Sequence, residues 1–221
     1  TLNQFYCVTN VDVRNHGFSF HENNMEYSAL AQDIIDTLDH LNIDTTHILG
    51  HSMGGKIAMQ VALDFPQRVN KLIVADISPV QYPQHHNQII AGLQSIDLSI
   101  VTNRKQADEQ LAHYVEEVGV RQFLLRNLHK VNDKFSFKCN LAFIAQCYPQ
   151  IIKGYQQSKT FLNSTLFIKG GNSNYITPEH RNVISQLFPH SKAKIIQGAG
   201  HWLHAEKTVA FNNTIKAFLS Q

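Results

Sequence analysis

The chain has 221 residues, 43% hydrophobic and 16% charged, the composition of a folded domain with a real core. A formal charge of +2 gives no reason to expect nucleic acid or an anionic membrane as partner. No apolar run approaches the ~20 residues needed to cross a bilayer, so a membrane protein is not expected. Cys7, Cys139 and Cys147 are an odd number at spacings that match neither a zinc site nor a disulfide framework. Buried free thiols in a reducing compartment are the expectation. With no signal-peptide pattern in the stretch from Thr1, the expected location is cytoplasmic.

In chain order, Phe5 to Val11 is β-rich and leads into the turn Asp12-Val13-Arg14-Asn15-His16-Gly17. Leu30, Ile34, Leu38 and Leu41 recur at helical spacing and predict a helix from Tyr27 to Leu41. Thr46 to Gly50 reads as a short apolar strand and Met53 to Phe65 as a helix stopped by Pro66. Leu72 to Ala75 is a buried strand ended by Asp76 and Pro79. The pattern then changes. Between Val80 and Lys159 helical stretches follow one another without a parallel-type strand, clearest over Ile89–Leu93, Ala107–Val118 and Gln122–Leu128. After Thr160 the alternation returns: strand Thr165–Lys169, helix Pro178–Phe188, strand Ala193–Gln197 and helix Lys207–Leu219.

Strands alternating with helices predict an α/β fold, a mostly parallel sheet with helices on both faces. Residues 1–79 and 160–221 form the expected core. Residues 80–159 form a helical cap inserted after the strand that ends at Asp76, where ligands bind in open α/β sheets.

Gly50-His51-Ser52-Met53-Gly54 fits the pattern Gly-x-Ser-x-Gly. Chance alone would place these three fixed residues in a few per cent of chains this long, so context carries the weight. The motif follows a predicted strand and opens a predicted helix, as a sharp turn that projects a serine hydroxyl requires. Glycines two positions to either side remove Cβ atoms expected to collide in that turn, and Gly55 and Ala58 keep the next helical turn narrow.

A serine needs an adjacent base to act as a nucleophile. His201, in Gly198-Ala199-Gly200-His201-Trp202, lies between the last strand and the last helix, where a loop can hang its imidazole beside Ser52. His204 is a rival, or with His201 a weak His-x-x-His pair, but no carboxylate cluster accompanies it and no metal is expected. His85 and His86 read as solvated, and His16 and His51 as members of turn sequences. For the acid, the loop Gly170-Gly171-Asn172-Ser173-Asn174-Tyr175 contains no carboxylate. Asp76, at the end of the strand after the first motif helix, could reach the same imidazole and hold its tautomer; the plainer alternative is a loop cap.

At these residues the chain resembles the bacterial YbfF-type esterases of the α/β-hydrolase fold. The resemblance rests on the Asp12–Gly17 turn, Gly50-His51-Ser52-Met53-Gly54-Gly55-Lys56, Asp76-Ile77-Ser78-Pro79 and Gly198-Ala199-Gly200-His201-Trp202. It continues through Gly119-Val120-Arg121-Gln122-Phe123-Leu124-Leu125 and Gly170-Gly171-Asn172-Ser173. It implies hydrolysis of acyl esters, with acyl-CoA thioesters as a second class, by Ser52, His201 and Asp76 without a cofactor. It also implies a β-hairpin, a third strand and a His-Gly loop ahead of the segment that opens this chain, roughly forty residues at usual strand lengths. By the same resemblance, that loop would supply one of two backbone donors to the oxyanion and the N–H of Met53 the other.

A small acyl ester or thioester is therefore the expected partner. Trp202, Phe123 and Tyr148 are candidate substrate contacts, although aromatic residues in helices are more often core. Arg121, Lys130, Lys134 and Lys138 could meet a CoA phosphate, against the plainer reading of a solvated basic face. Three other functions stay open: a carbon–carbon lyase, a cofactor-free haloperoxidase, and a non-catalytic binding protein on the same fold.

Overall fold

Val69–Ala75 and Thr165–Gly170 are buried along nearly their whole length, and their unbroken apolar runs Leu72–Ala75 and Leu166–Ile168 suit strands whose sheet is covered on both faces. The computed structural model describes residues 2–155 and 158–221. In chain order its elements are α1 (Tyr27–His40), β1 (Thr46–His51), α2 (Met53–Asp64), β2 (Val69–Ala75), α3 (Asn87–Gln94), α4 (Arg104–Leu111) and α5 (Val118–Leu124). They continue with β3 (Leu128–Val131), β4 (Lys134–Phe137), α6 (Leu141–Gln146), α7 (Tyr148–Ile151) and β5 (Thr165–Gly170). The chain closes through α8 (Arg181–Leu187), β6 (Ser191–Ile196), α9 (Leu203–Glu206) and α10 (Thr208–Leu219).

The described residues divide into two compact units. One combines residues up to Asn10 with Glu26–Gln81 and Lys153–Gln221; the other combines Val11–Met25 with Tyr82–Ile152. The first unit holds a parallel sheet in the order β1-β2-β5-β6. Ile73, Ala75, Leu166, Ile168 and Ile196 of the sheet bury against Phe211, Ile215 and Phe218, which recur at helical spacing along α10. Each such Leu, Ile or Phe side chain, fully enclosed, contributes about 1.5–3 kcal/mol. On β1 and β2 lies α2, and α1 packs against α2. Ala58, Met59, Val61 and Ala62 of α2 are buried.

Register decides where the chemistry falls. Gly50 pairs with Val74 and His51 with Ala75. Ser52 and Asp76, each one residue further on, therefore leave the same edge of neighbouring parallel strands.

Lys56, one turn into α2, is only 1% exposed. Its ammonium donates to the carbonyls of Val80 (2.9 Å) and Lys153 (2.6 Å), and the Tyr155 hydroxyl donates to the Lys56 carbonyl. Burial pulls its pKa down to about 7.

The second unit has its own core, with Leu93, Leu111, Leu125, Leu128 and Phe135 among its members. Arg121, placed by the sequence on a solvated basic face, is buried there instead. It pairs with Asp108 at 2.9 Å and donates to the carbonyls of Val115 and Glu116, which satisfies a guanidinium that water cannot reach.

Other expectations also change. Phe5–Val11 forms no strand: Phe5, Val8 and Val11 stay exposed, and β-propensity without a partner ladder or a face to bury does not hold a strand. The helix expected over Ala107–Val118 ends at Leu111, and α5 starts afresh at Val118. Leu128, expected as helical, begins an antiparallel hairpin whose turn residues Asn132 and Asp133 both have positive φ. Of the cysteines, only Cys147 is buried; Cys7 is exposed and Cys139 half-buried, all three as free thiols. No helix among the described residues is long and apolar enough to cross a membrane.

Candidate active site

Ser52 occupies the hinge between β1 and α2 with φ 53° and ψ −123°, a left-handed conformation that an L-residue adopts only when its surroundings impose it. Those surroundings are hydrogen bonds: Ser52 N–H donates to Ala75 O at 3.0 Å, while Ser52 O accepts from Gly55 and Lys56 N–H. A Cβ on Gly50 would lie 2.0 Å from the Gly54 carbonyl oxygen, so that position requires glycine. Gly54 differs from the expectation, because a Cβ there meets nothing within 4 Å. At Gly55 a Cβ would come 2.6 Å from Ile77, which keeps α2 close to the sheet.

Asp76 also has positive φ, 51°, and its side chain is fully buried. Its N–H donates to Ile168 O at 2.8 Å, tying the strand end to β5. Three donors converge on the carboxylate. Gly170 N–H reaches Oδ1 at 2.9 Å, and Oδ2 accepts from the Ser173 hydroxyl and from His201 Nδ1 at 2.8 Å. A carboxylate only accepts, so Nδ1 carries the imidazole hydrogen. Nε2 is then left to accept from Ser52 Oγ, 3.0 Å away. The structure thus brings Ser52, His201 and Asp76 into one continuous chain of hydrogen bonds. Met53, the first residue of α2, has an N–H with no partner inside the helix by its position.

Tyr175 stacks on the His201 ring, with centroids 3.8 Å apart and planes 20° from parallel. The loop without a carboxylate therefore contributes in other ways: Gly170 and Ser173 hold the Asp76 carboxylate, and Tyr175 covers the His201 ring. Lys169 steadies this loop by donating to the carbonyls of Gly170 and Ser173. The sequence places Asp76 at the end of β2; its setting beside Gly170 comes from the parallel pairing of β2 with β5. Nothing local marked Tyr175.

His51 also departs from its reading as a turn residue. It ends β1, its Nε2 donates to the His201 backbone carbonyl at 2.7 Å, and burial with the neighbouring His201 lowers its pKa to about 4. His204 lies 4.6 Å from the His51 ring, with no hydrogen-bond partner at its buried Nδ1; burial lowers its pKa. Trp202 is half-buried beside His201. Phe123 and Tyr148 belong to the second unit. Phe123 is exposed on α5, whereas Tyr148 is buried and its hydroxyl meets the backbone N–H and Nδ1 of His86 at 3.1 Å.

A parallel sheet with a serine on a strained strand–helix hinge, backed by histidine and aspartate, is the architecture of one large class. The chain belongs to the α/β-hydrolase-fold family, whose model matches residues 2–208. It is 38% identical to the esterase YbfF of Escherichia coli, over 96% of this chain and 82% of that protein. It is 40% identical to the sn-1-specific diacylglycerol lipase ABHD11 of Mus musculus, over 96% of this chain and 71% of that protein. Among solved structures it is similar to a marine microorganism esterase, with TM-score 0.90 and 38% identity, covering 94% of this chain and 82% of the other.

Proposed function

We propose that this chain is a serine-dependent carboxylic ester hydrolase in which Ser52 is the nucleophile, His201 the general base and acid, and Asp76 the residue that orients the imidazole. The observation that carries the reading is the His201 ring itself, with Nδ1 2.8 Å from Asp76 and Nε2 3.0 Å from Ser52 Oγ. The names of its relatives, an esterase and a diacylglycerol lipase, support ester bonds as the substrate class.

In the first step Ser52 Oγ bonds to the acyl carbon as its proton passes to His201 Nε2. The carbonyl π electrons move onto oxygen, where the Met53 N–H stabilises the developing charge. The imidazolium is steadied by Asp76 and then protonates the departing alcohol oxygen as the C–O bond breaks. Water repeats the sequence on the acyl-serine: His201 takes its proton, the acid leaves, and Ser52 recovers its hydrogen. Acyl-CoA thioesters fit the same steps with sulfur leaving. Trp202, Phe123 and Tyr148 are proposed as acyl contacts.

The test is a panel of p-nitrophenyl esters of increasing chain length and matched acyl-CoA thioesters, assayed beside carbon–carbon cleavage and halide peroxidation. Ester turnover that disappears in Ser52→Ala supports the reading. Turnover confined to one of the other two reactions contradicts it. Alanine at Trp202, Phe123 or Tyr148 should raise KM for long acyl chains and leave acetate esters unaffected.

A further inference from the structure

We propose that His51 is a positioning residue for this reaction: its Nε2–H holds the backbone carbonyl of His201 and so sets where the imidazole stands between Ser52 and Asp76. The inference rests on the triad reading above and adds a residue that acts on the base without touching substrate.

The loop carrying His201 is built from residues that do not hold a shape by themselves. Gly198 has φ +68°, and Gly200 carries no side chain. Its backbone is fixed from outside at three consecutive residues. The Ala199 carbonyl accepts from Asn172 N–H at 2.8 Å, and Gly200 N–H donates to Glu206 at 2.7 Å. The third point, the His201 carbonyl, is held by His51 at 2.7 Å. His51 adjoins Ser52 in the chain and pairs with Ala75, the residue before Asp76. One side chain therefore joins the strand end bearing the nucleophile to the backbone of the base. The separation between them does not depend only on the weak Ser–His hydrogen bond.

The chemistry of the pair agrees with this role. A carbonyl oxygen only accepts, so the bond requires hydrogen on His51 Nε2. The ring is close to that of His201, 4.7 Å between centroids, and to that of His204. Burial and the adjacent His201 disfavour a charge on His51, with Asp76 and the His201 carbonyl opposing that trend less strongly. His201 can then accept a proton during turnover without a second cation beside it.

The experiment compares His51→Phe, which keeps the ring and removes the donor, with His51→Gln, whose amide N–H can reach the same carbonyl. His51→Phe is expected to lower kcat by about 10- to 100-fold with KM within ~2-fold, as misplacement of a reacting group does. His51→Gln should recover most of kcat. Wild-type kcat in His51→Phe, or equal loss in both variants, overturns the proposal.

Nitrogen-15 spectra of the unaltered protein decide the matter even if His51→Phe does not fold: a hydrogen on His51 Nε2 is expected, and a bare Nε2 overturns it. Failure of the triad reading has a different signature. Fluorophosphonate labelling that survives Ser52→Ala would remove the triad while leaving the His51–His201 bond in the spectra.

Discussion

Ser173 gives its hydroxyl hydrogen to the same Asp76 oxygen that faces His201 Nδ1. The serine fills the second acceptor site of that oxygen and fixes the plane of the carboxylate, so the imidazole meets a lone pair in one direction. Replacing Ser173 by alanine should lower kcat for ester hydrolysis by about 10-fold, the rate equivalent of ~1.4 kcal/mol, with KM little changed. Steady-state kinetics on a short-chain ester check this.

Asp76→Asn is expected to be far more damaging. Asp76 accepts from three donors, and an amide can turn only one oxygen toward them; its NH2 would oppose either Gly170 or the Ser173–His201 pair. A nitrogen facing His201 imposes the wrong tautomer, and kcat should fall by about 10³–10⁴. Near-ultraviolet circular dichroism measured beside kcat separates this from loss of fold.

Two motif glycines should respond in opposite ways. Gly50→Ala forces a Cβ against backbone at 2.0 Å and should destabilise by about 3 kcal/mol or more; Gly54→Ala faces open space and should stay within ~1 kcal/mol of wild type. Chemical denaturation of the two variants gives the comparison.

Lys56 predicts a pH dependence of stability. Its folded pKa, about 7, lies below the ordinary 10.5 because burial disfavours the cation. Between these values the unfolded chain binds more protons than the folded one, so stability rises with pH across that window; below it the full penalty for the buried charge is present. In Lys56→Met this rise should vanish, as thermal melts at several pH values between 7 and 10 would show.

The parallel sheet was legible because its signals are local. The apolar runs around Leu72 and Leu166 are short and bounded by Asp76 and by glycines, and their strands fall within a few residues of expectation. Ser52 and His201 were legible because a tight strand–helix hinge and a small-residue loop leave marks in sequence. What failed depended on partners. Phe5–Val11 has strand-forming residues but no ladder, and the hairpin at Leu128–Phe137 is set by Asn132 and Asp133 adopting positive φ, a turn signal passed over for helical spacing. Arg121 looked like surface charge because Asp108 and the Val115 and Glu116 carbonyls that enclose it come from other positions in the chain. Tyr175 and His51 were missed for the same reason, since each acts on His201 across 26 residues or more.

The most direct test of the central claim is the site of covalent modification by a fluorophosphonate, located by peptide mass spectrometry in wild type and in Ser52→Ala. The account predicts a single adduct on Ser52 and none in the variant. An adduct on another residue, or undiminished labelling of Ser52→Ala, would contradict it.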